Sequence, residues 1–298
     1  MVTPTGSETY TCSAQRTWKD DNGGVQIPVC LPVCGNPNNP VQSSRRIILG
    51  KKADAGNFPW QVLLVTNGRG GGVLIGEQWV LTAAHVLISE EDKKQENDTA
   101  NMHVFMGKLD VRDMVKVGNY PVESFHVHPS YRPGTFDHDI GLIRLRDPIV
   151  MNQNVSPICL PLPEDEDYLY QADRNGYVSG FGRTENNTIA NKLRYVNVPV
   201  ASRQECQNFL DRKKSQQALT RNMFCAGFPE SSIVKSDACE GDSGGGYTTN
   251  DRQGNWVVTG LVSWGIDCGK GYGIYTKASN YLDWIQSYMG EEVPLRAL

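Results

Sequence analysis

Two apolar stretches of the chain lead into or out of an ionisable side chain. Residues 79–81 are apolar and favour β-structure, and the small residues after them end at His85, which predicts an imidazole at the end of a strand. Residues 139–145 read DIGLIRL, so the carboxylate of Asp139 opens a strongly apolar strand. An ionised carboxylate at the edge of a core must be hydrogen-bonded, and we expect Asp139 to have partners there.

The remaining pattern predicts an all-β chain with one helix. Runs rich in β-branched residues alternate with short turn segments, and the chain has 30 glycines. The helix is predicted at the C-terminus, behind a cap at Ser279 or Asn280, because apolar residues recur there at helical spacing. These residues are Tyr281, Leu282, Trp284, Ile285, Tyr288 and Met289.

Residues 236–246, SDACEGDSGGG, form a glycine-rich segment with polar side chains of chemical interest. Ser243 lies among glycines, where the backbone can present a hydroxyl and direct N–H groups at a reacting carbonyl. Asp242 precedes it, and a carboxylate in so tight a turn indicates a cationic partner. Asp237 can project a carboxylate into a nearby pocket. On its own, a glycine-rich loop with one serine fits an ordinary turn equally well.

His85, Asp139 and Ser243 together supply the groups that activate a serine nucleophile. A serine hydroxyl needs a neutral imidazole to take its proton, and a buried carboxylate to hold that imidazole in one tautomer. Taken singly, His85 is compatible with an ordinary surface or core histidine, and Asp139 with a cap at a strand start. Their joint occurrence, in this order and with these flanking residues, predicts a catalytic triad.

Five short motifs resemble the chymotrypsin-like (trypsin-type) serine protease family, over about residues 47–290. The resemblance implies an all-β fold of two six-stranded antiparallel β-barrels with a C-terminal helix, and the triad in the cleft between the barrels. It also implies an oxyanion hole formed by the backbone amides of Gly241 and Ser243. The motifs are TAAH at 82–85, DIGLIRL at 139–145, GDSGG at 241–245, SWG at 263–265 and GIYT at 273–276.

The same resemblance implies a substrate preference. Asp237 is expected at the base of the primary pocket, where a carboxylate selects arginine and, more weakly, lysine. Ser263, Gly265 and Gly273 match positions of the pocket wall, and the lack of side chains at the glycines admits a long substrate residue. Glu240 stands where glutamine is more usual, and we expect it to disfavour acidic substrate residues by charge repulsion.

Residues 43–50, SSRRIILG, resemble the activation site of the family, with cleavage between Arg46 and Ile47. Cleavage creates an α-ammonium on Ile47 that can pair with Asp242 and order the oxyanion loop. An unpaired buried charge is costly, so the loop should stay misformed until that partner arrives. Uncut at Arg46, the chain is therefore expected to be a zymogen.

The resemblance also implies the disulfides Cys34–Cys159, Cys206–Cys225 and Cys239–Cys268. Val86 follows His85 where most members have cysteine, and this absence resembles the complement subgroup. Within that subgroup, several stretches are most similar to the r-type branch of the first-component proteases, while the s-type and lectin-associated branches stay open. The stretches are 68–72, 117–121, 176–182, 222–226 and 271–273.

The N-terminal residues resemble the back half of a sushi (complement control) module. Cys12 and Cys30 look like its third and fourth cysteines, whose partners are missing, so the chain is expected to be a fragment of a longer protein. The predicted organisation is 1–33 for the half module, 34–46 for a linker and the end of the activation peptide, 47–290 for the protease domain and 291–298 for a tail.

Composition and sequons favour an extracellular protein without a cofactor. Cysteines and sequons at Asn97, Asn154 and Asn186 indicate secretion and glycosylation, although no signal peptide and no membrane-spanning run are evident. The net charge of −4 argues against nucleic-acid binding. No cofactor and no metal are expected, since His126 and His128 lack an evident third ligand.

The expected partners are protein substrates, namely complement protease zymogens, and other complement components bound through the missing upstream modules. The main alternative is a catalytically silent pseudo-protease that serves as a binding module on the same fold. Such proteins lose a triad residue or the activation arginine, whereas His85, Asp139, Ser243, Arg46 and Asp242 are all present here. The sequence therefore favours an active endopeptidase.

Overall fold

The computed structural model describes residues 10–12, 18–20, 33–41, 50–88, 99–184, 188–232, 241–266, 271–290 and 295–296, and of 10–12, 18–20 and 295–296 only the backbone. The chain divides into two compact units, Met1–Pro32 and Val33–Leu298. In the first unit, strand β1 (Tyr10–Cys12) pairs antiparallel with strand β2 (Trp18–Asp20). The half sushi module and the other domain boundaries stay predictions.

The second unit is built mainly of strands. In chain order these are β3 (Val33–Cys34), β4 (Lys51–Lys52), β5 (Gln61–Val65), β6 (Arg69–Leu74), β7 (Trp79–Thr82), β8 (His103–Met106), β9 (Val122–Val127), β10 (Gly141–Leu145), β11 (Asn175–Gly180), β12 (Arg194–Pro199), β13 (Met223–Gly227), β14 (Gly246–Asn250), β15 (Trp256–Gly265), β16 (Tyr272–Lys277) and β17 (Leu295–Arg296). The helices are α1 (Ala84–Leu87), α2 (Val111–Val117), α3 (Glu166–Leu169), α4 (Arg203–Arg212) and α5 (Leu282–Met289).

Strands β5 to β10 form the first sheet, in the spatial order β8-β5-β6-β7-β10-β9, and its neighbouring strands are antiparallel. Its two edges meet where Val104 of β8 bridges Tyr120, just before β9, so the sheet curls on itself. The apolar runs predicted as strands lie inside this sheet. All of β7 is buried, as is most of β10, because these strands line the core.

The second sheet has the order β13-β16-β15-β14-β11-β12-β4 and is also antiparallel. A bridge between Val200, after β12, and Ala226 of β13 brings its edges together, while β4 is added outside on β12. One hydrophobic core runs through both sheets, and Trp60 beside β5 contacts Trp256 of β15 at a ring-centroid distance of 5.8 Å. The predicted two-barrel all-β fold is confirmed, with β4 as an additional edge strand.

Helix α5 confirms the predicted C-terminal helix, but its predicted cap is wrong. Ser279 and Asn280 lie inside a 3₁₀ turn, Ala278–Tyr281, and Tyr281 precedes α5 without a side-chain cap. This turn brings residues three apart to one side, and both Ala278 and Tyr281 are buried. No helix of the described residues has the length and apolar character needed to cross a membrane.

Helix α4 was not predicted from the sequence, although a local signal for it is present. The Ser202 hydroxyl accepts a hydrogen bond from the Glu205 amide, and the Glu205 carboxylate accepts one from the Ser202 amide. This reciprocal capping box begins the helix and is readable as serine followed three residues later by glutamate.

The segment around β3 is attached to the rest of the second unit both covalently and through its backbone. Cys34 is bonded to Cys159, with their Cα atoms 4.9 Å apart. The Gly35 amide donates to the Pro157 carbonyl, and the Trp256 amide donates to the Gly35 carbonyl, at 2.9 Å in each case. Gly35 has φ +68°, and a Cβ there would lie 2.4 Å from the Trp256 carbonyl, so only glycine fits.

A second disulfide joins Cys206 of α4 to Cys225 of β13, with their Cα atoms 6.0 Å apart. It ties the capped helix to the edge of the second sheet. The pair Cys239 and Cys268, for which a third disulfide is predicted, lies outside the described residues.

Candidate active site

Antiparallel pairing of β7 with β10 brings His85 and Asp139 together. Thr82, the last residue of β7, pairs with Gly141, the first of β10. The chain leaves β7 into the short helix α1, which carries His85, while Asp139 lies two residues before β10. The His85 Nδ1 lies 2.8 Å from Asp139 Oδ2, and the His85 backbone amide donates to Asp139 Oδ1 at 2.9 Å. Both carboxylate oxygens thus bind the same residue, which orients the ring.

Asp139 is fully buried, and the second sheet holds it as well as the first. Ser263 of β15 donates its hydroxyl to Asp139 Oδ2 at 2.5 Å, and Thr276 of β16 donates its hydroxyl to the Asp139 backbone carbonyl at 2.9 Å. These donors replace the hydration that a buried carboxylate loses. Asp139 is therefore held with its Oδ2 toward the Nδ1 side of His85.

The environment of His85 favours its protonated form. Burial by itself lowers the pKa of His85, but the charge of Asp139 and the hydrogen bond to it together raise the pKa above its ordinary value. The ring also has Phe136 at its edge, with 5.7 Å between centroids and 83° between planes. The imidazole is thus fixed in position and is a stronger base than a free histidine.

The loop that carries Ser243 packs against β6 and the end of β7, the strand that leads to His85. The Gly71 amide of β6 donates to the Ser243 carbonyl at 2.7 Å. Gly244 has φ +78°, and a Cβ there would lie 2.2 Å from the Thr82 hydroxyl and 3.1 Å from the Ala83 amide. Only glycine permits this approach, which places Ser243 beside the chain segment that begins α1.

The hydrogen bonds around Ser243 bear on the predicted nucleophile and oxyanion hole. No hydrogen bond joins the His85 ring to the Ser243 hydroxyl in the part of the chain that the structure describes. Within the same part, neither the Gly241 nor the Ser243 amide donates to another backbone group. Catalytic hydrogen bonds are often long without a substrate, so this geometry is compatible with a nucleophile and an oxyanion hole.

Asp242 occupies a cradle made by two glycines. The Gly182 amide donates to Asp242 Oδ1 at 2.9 Å. A Cβ at Gly180 would lie 2.0 Å from Asp242 Oδ1, and one at Gly182 would lie 2.5 Å from its carboxyl carbon. The carboxylate therefore fills the space that side chains at these two positions would take.

Comparison with known proteins gives this arrangement a family. The family described as Trypsin matches residues 47–285, most of the chain. The chain belongs to the trypsin family. This confirms the resemblance indicated by the motifs.

Several relatives of this trypsin-family chain bear complement names. Complement C1r-A subcomponent of Mus musculus is 47% identical over 303 residues, which cover 98% of this chain and 42% of that protein. Complement C1r subcomponent-like protein of Homo sapiens is 40% identical over 94% of this chain and 56% of its own length. Complement C1s subcomponent of Rattus norvegicus is 40% identical over 95% of this chain and 41% of its own length. The chain thus spans about half or less of these relatives.

The predicted specificity pocket of this trypsin-family chain is described only at one wall. Gly265 at the end of β15 is directly paired with Gly273 near the start of β16, and Gly265 is exposed with no atom within 4 Å of a Cβ built there. Ser263, expected at the same wall, directs its hydroxyl to Asp139. The other predicted functional residues lie outside the described residues: Arg46, Ile47, Asn97, Asn186, Asp237 and Glu240. Asn154 is described, and its side chain is exposed.

The structure adds residues that sequence reasoning did not find. The roles of Ser263 and Thr276 toward Asp139 depend on contacts between positions 124 and 137 apart in the chain, for which the sequence has no local signal. The structure also shows what faces Val86, the residue that stands where the resembled family has cysteine. A Cβ at Gly70 would lie 2.6 Å from a Val86 methyl, so Gly70 is the neighbour across from Val86.

Proposed function

We propose that this chain is the zymogen of a secreted serine endopeptidase that cleaves after arginine, and more weakly after lysine, in complement activation. The observation that carries the proposal is the buried Asp139 bound through both oxygens to His85, beside a glycine loop that presents Ser243. The proposed substrates are complement protease zymogens, this chain itself included.

In the proposed mechanism, His85 takes the Ser243 proton as the hydroxyl attacks the scissile carbonyl, and later protonates the leaving amine. Asp139 holds the ring in the tautomer with a proton on Nδ1 and stabilises the imidazolium that forms. The amides of Gly241 and Ser243 bind the developing oxyanion. Water then hydrolyses the acyl-enzyme by the same steps.

The proposed arginine specificity depends on Asp237, and the proposed activation depends on cleavage at Arg46 and on Asp242. Asp237 is the proposed base of the pocket, and the side-chain-free pair Gly265 and Gly273 supports an open wall. Activation is proposed to be cleavage at Arg46, after which the Ile47 ammonium pairs with Asp242. The glycine cradle supports this, because it holds the Asp242 carboxylate where a cation can be received.

The complement role is supported by the names of the relatives. Three proteins that align with nearly all of this chain are complement proteins or complement-like by name. Upstream modules of a longer protein are the proposed means of binding other complement components, and the extracellular space the proposed location.

Cleavage assays test the proposal directly. The chain cut at Arg46 should hydrolyse arginine esters, lysine esters more slowly and aromatic esters negligibly, and Asp237→Ser should reduce arginine activity by about a hundredfold or more, because a buried charge pair is lost. Candidate complement zymogens are incubated with the cut chain and any new N-termini are sequenced, with Ser243→Ala as the inactive control. Unchanged arginine preference in Asp237→Ser would contradict the pocket assignment.

A further inference from the structure

Arg194 lies at the centre of three adjacent strands that connect the chain after the proposed cleavage site to Asp242. In β12, Arg194 is paired directly with Lys52 of β4 on one side and with Gly180 of β11 on the other. Directly paired residues of antiparallel strands point to the same face of the sheet. The side chains of Lys52 and Arg194 and the empty Cβ position of Gly180 therefore share one face.

On the β4 side, the Arg194 side chain holds the backbone of Gly50. Its Nη2 donates to the Gly50 carbonyl at 2.6 Å. A Cβ at Gly50 would lie 3.5 Å from both the Arg194 Nε and a Val196 methyl, so the guanidinium packs along this residue. A charged donor makes a stronger hydrogen bond to a carbonyl than a neutral one does. Gly50 is thereby fixed to β12 immediately before β4 begins.

On the β11 side, the row of paired residues Lys52, Arg194 and Gly180 ends beside Asp242. The empty Cβ position of Gly180, the strand partner of Arg194, is filled by Asp242 Oδ1 at 2.0 Å. Two strand spacings of about 4.8 Å separate β4 from β11 by about 10 Å, and Gly50 lies two positions, about 7 Å, along the strand from Lys52, so Gly50 is about 12 Å from Gly180. Ile47 lies three residues before Gly50, and three extended residues span about 10 Å, to which an ion pair adds about 3 Å. The tether from Gly50 therefore lets the Ile47 amine reach Asp242 only when the segment is almost fully extended.

We propose that Arg194 is a positioning residue for activation: by holding Gly50 it shortens the tether of the new N-terminus, so that the Ile47 ammonium is concentrated at Asp242. This inference rests on the proposed function, since it concerns the activation step of the same site. Without the anchor, a longer segment becomes free, the effective concentration of the ammonium at Asp242 falls, and the paired state is less populated.

The test compares variants that are cut at Arg46 by an added protease until N-terminal sequencing shows only chains that begin at Ile47. Arg194→Met keeps a long apolar side chain and removes the donors, and Arg194→Lys keeps one cation. Arg146→Met removes an exposed arginine of the first barrel and is the matched control. The readouts are the carbamylation rate of the Ile47 amine by cyanate, which modifies only the free unprotonated amine, and the alkaline limb of kcat/KM on an arginine ester.

In cut Arg194→Met, carbamylation should be about tenfold faster and the alkaline limb should move down by about one pH unit, toward the ordinary α-amine pKa of about 8. Arg194→Lys should be intermediate, and Arg146→Met should match the parent. A general structural defect would not move the amine reactivity selectively, and thermal unfolding of each uncut chain measures that defect separately.

Parental carbamylation rates and an unchanged alkaline limb in cut Arg194→Met would overturn the inference. If Arg194→Met does not fold, Arg194→Lys decides: a parental carbamylation rate and a parental alkaline limb in that variant would overturn the inference. A different result addresses the proposed function: if the carbamylated parent keeps its full activity, the Ile47 ammonium is not needed and the activation step itself fails, whatever Arg194 does.

Discussion

At the scale of single residues, Asp139 determines the state of His85. Its carboxylate accepts hydrogen bonds from the His85 amide, the His85 ring and the Ser263 hydroxyl, and it is fully buried. Burial lowers the pKa of the His85 ring, but the charge of Asp139 and the hydrogen bond to it together outweigh burial, so the pKa of His85 rises. The basicity of the proposed general base is therefore set by a residue that does not touch the substrate.

The raised pKa of His85 predicts opposite pH effects on activity and on stability. The kcat/KM of the cut chain should fall as the pH falls through the His85 pKa, because protonated imidazole cannot take the Ser243 proton, with a midpoint above the ordinary value of 6.5. The contribution of His85 to the free energy of unfolding should be complete below its unfolded pKa and be lost as the pH rises through the folded value. Ester hydrolysis and urea unfolding of Ser243→Ala against pH measure the two.

His103→Gln serves as the control for both curves, because His103 is exposed on β8, which pairs with β5 and not with the strands β7 and β10 that lead to the site. It should leave the acid limb of kcat/KM where it is in the parent. An acid limb with its midpoint at or below pH 6.5 would contradict the assigned influence of Asp139.

At the scale of elements, the loop between β13 and β14 depends on glycine where it meets the first barrel. Gly244 has φ +78° and contacts Thr82 of β7. Gly71 of β6 faces Gly245, and a Cβ built at Gly71 would lie 2.9 Å from the Gly245 Cα. These close approaches join the strand end before His85 to the loop with Ser243. The position of Ser243 relative to His85 thus follows from the close backbone contact between this loop and strands β6 and β7.

Gly244→Ala should cost more stability and far more activity than Gly254→Ala. Both positions have positive φ, +78° and +92°, so both should lose about 1–2 kcal/mol of unfolding free energy from the backbone alone. Only at Gly244 does the new Cβ meet other atoms, which should add about 1–3 kcal/mol. Displacement of Ser243 should then lower kcat/KM by about a hundredfold.

Urea unfolding and ester hydrolysis compare the two variants. Gly254 has no atom within 4 Å of its built Cβ, so its variant isolates the backbone effect. Equal losses of stability and of kcat/KM in both variants would show that the contact with Thr82 has no role.

At the scale of the whole molecule, cleavage at Arg46 would divide the chain into two pieces that stay joined. The N-terminal piece contains Cys34, which is bonded to Cys159 in the protease unit, and Gly35 makes two backbone hydrogen bonds there. Under the proposed function, the concentrated purified chain should cleave itself at Arg46, because Arg46 fits the proposed pocket; the first cut requires that an uncut molecule populates the ordered loop part of the time.

Gel electrophoresis and N-terminal sequencing measure self-activation. The zymogen should accumulate a form that begins at Ile47 and separates into two bands only after reduction. Ser243→Ala should stay intact, and Asp242→Asn should be cut by added active enzyme yet remain nearly inactive. Processing of purified Ser243→Ala as fast as the parent would assign the cleavage to another protease.

The family, the two-barrel all-β fold, helix α5 and the association of His85 with Asp139 could all be predicted from sequence patterns. Each of these patterns is local: apolar runs define strands, helical spacing defines α5, and His85 and Asp139 both stand at ends of predicted strands. The cap of α5 was wrong because burial of Ala278 and Tyr281, a tertiary effect, outweighed the local capping preference of Ser279.

The distant residues that support the site could be identified only from the folded chain. Ser263 and Thr276 bind Asp139 across the two barrels, and Gly70 faces Val86. Arg194 of β12 binds Gly50, and its partner in β11 is Gly180, which contacts Asp242. The hydrogen bonds to Asp139 and to Gly50 join residues more than a hundred positions apart, and Gly70–Val86 depends on how β6 and α1 meet. Local pattern does not encode strand order or barrel closure, since these follow from how the sheets bury a shared core.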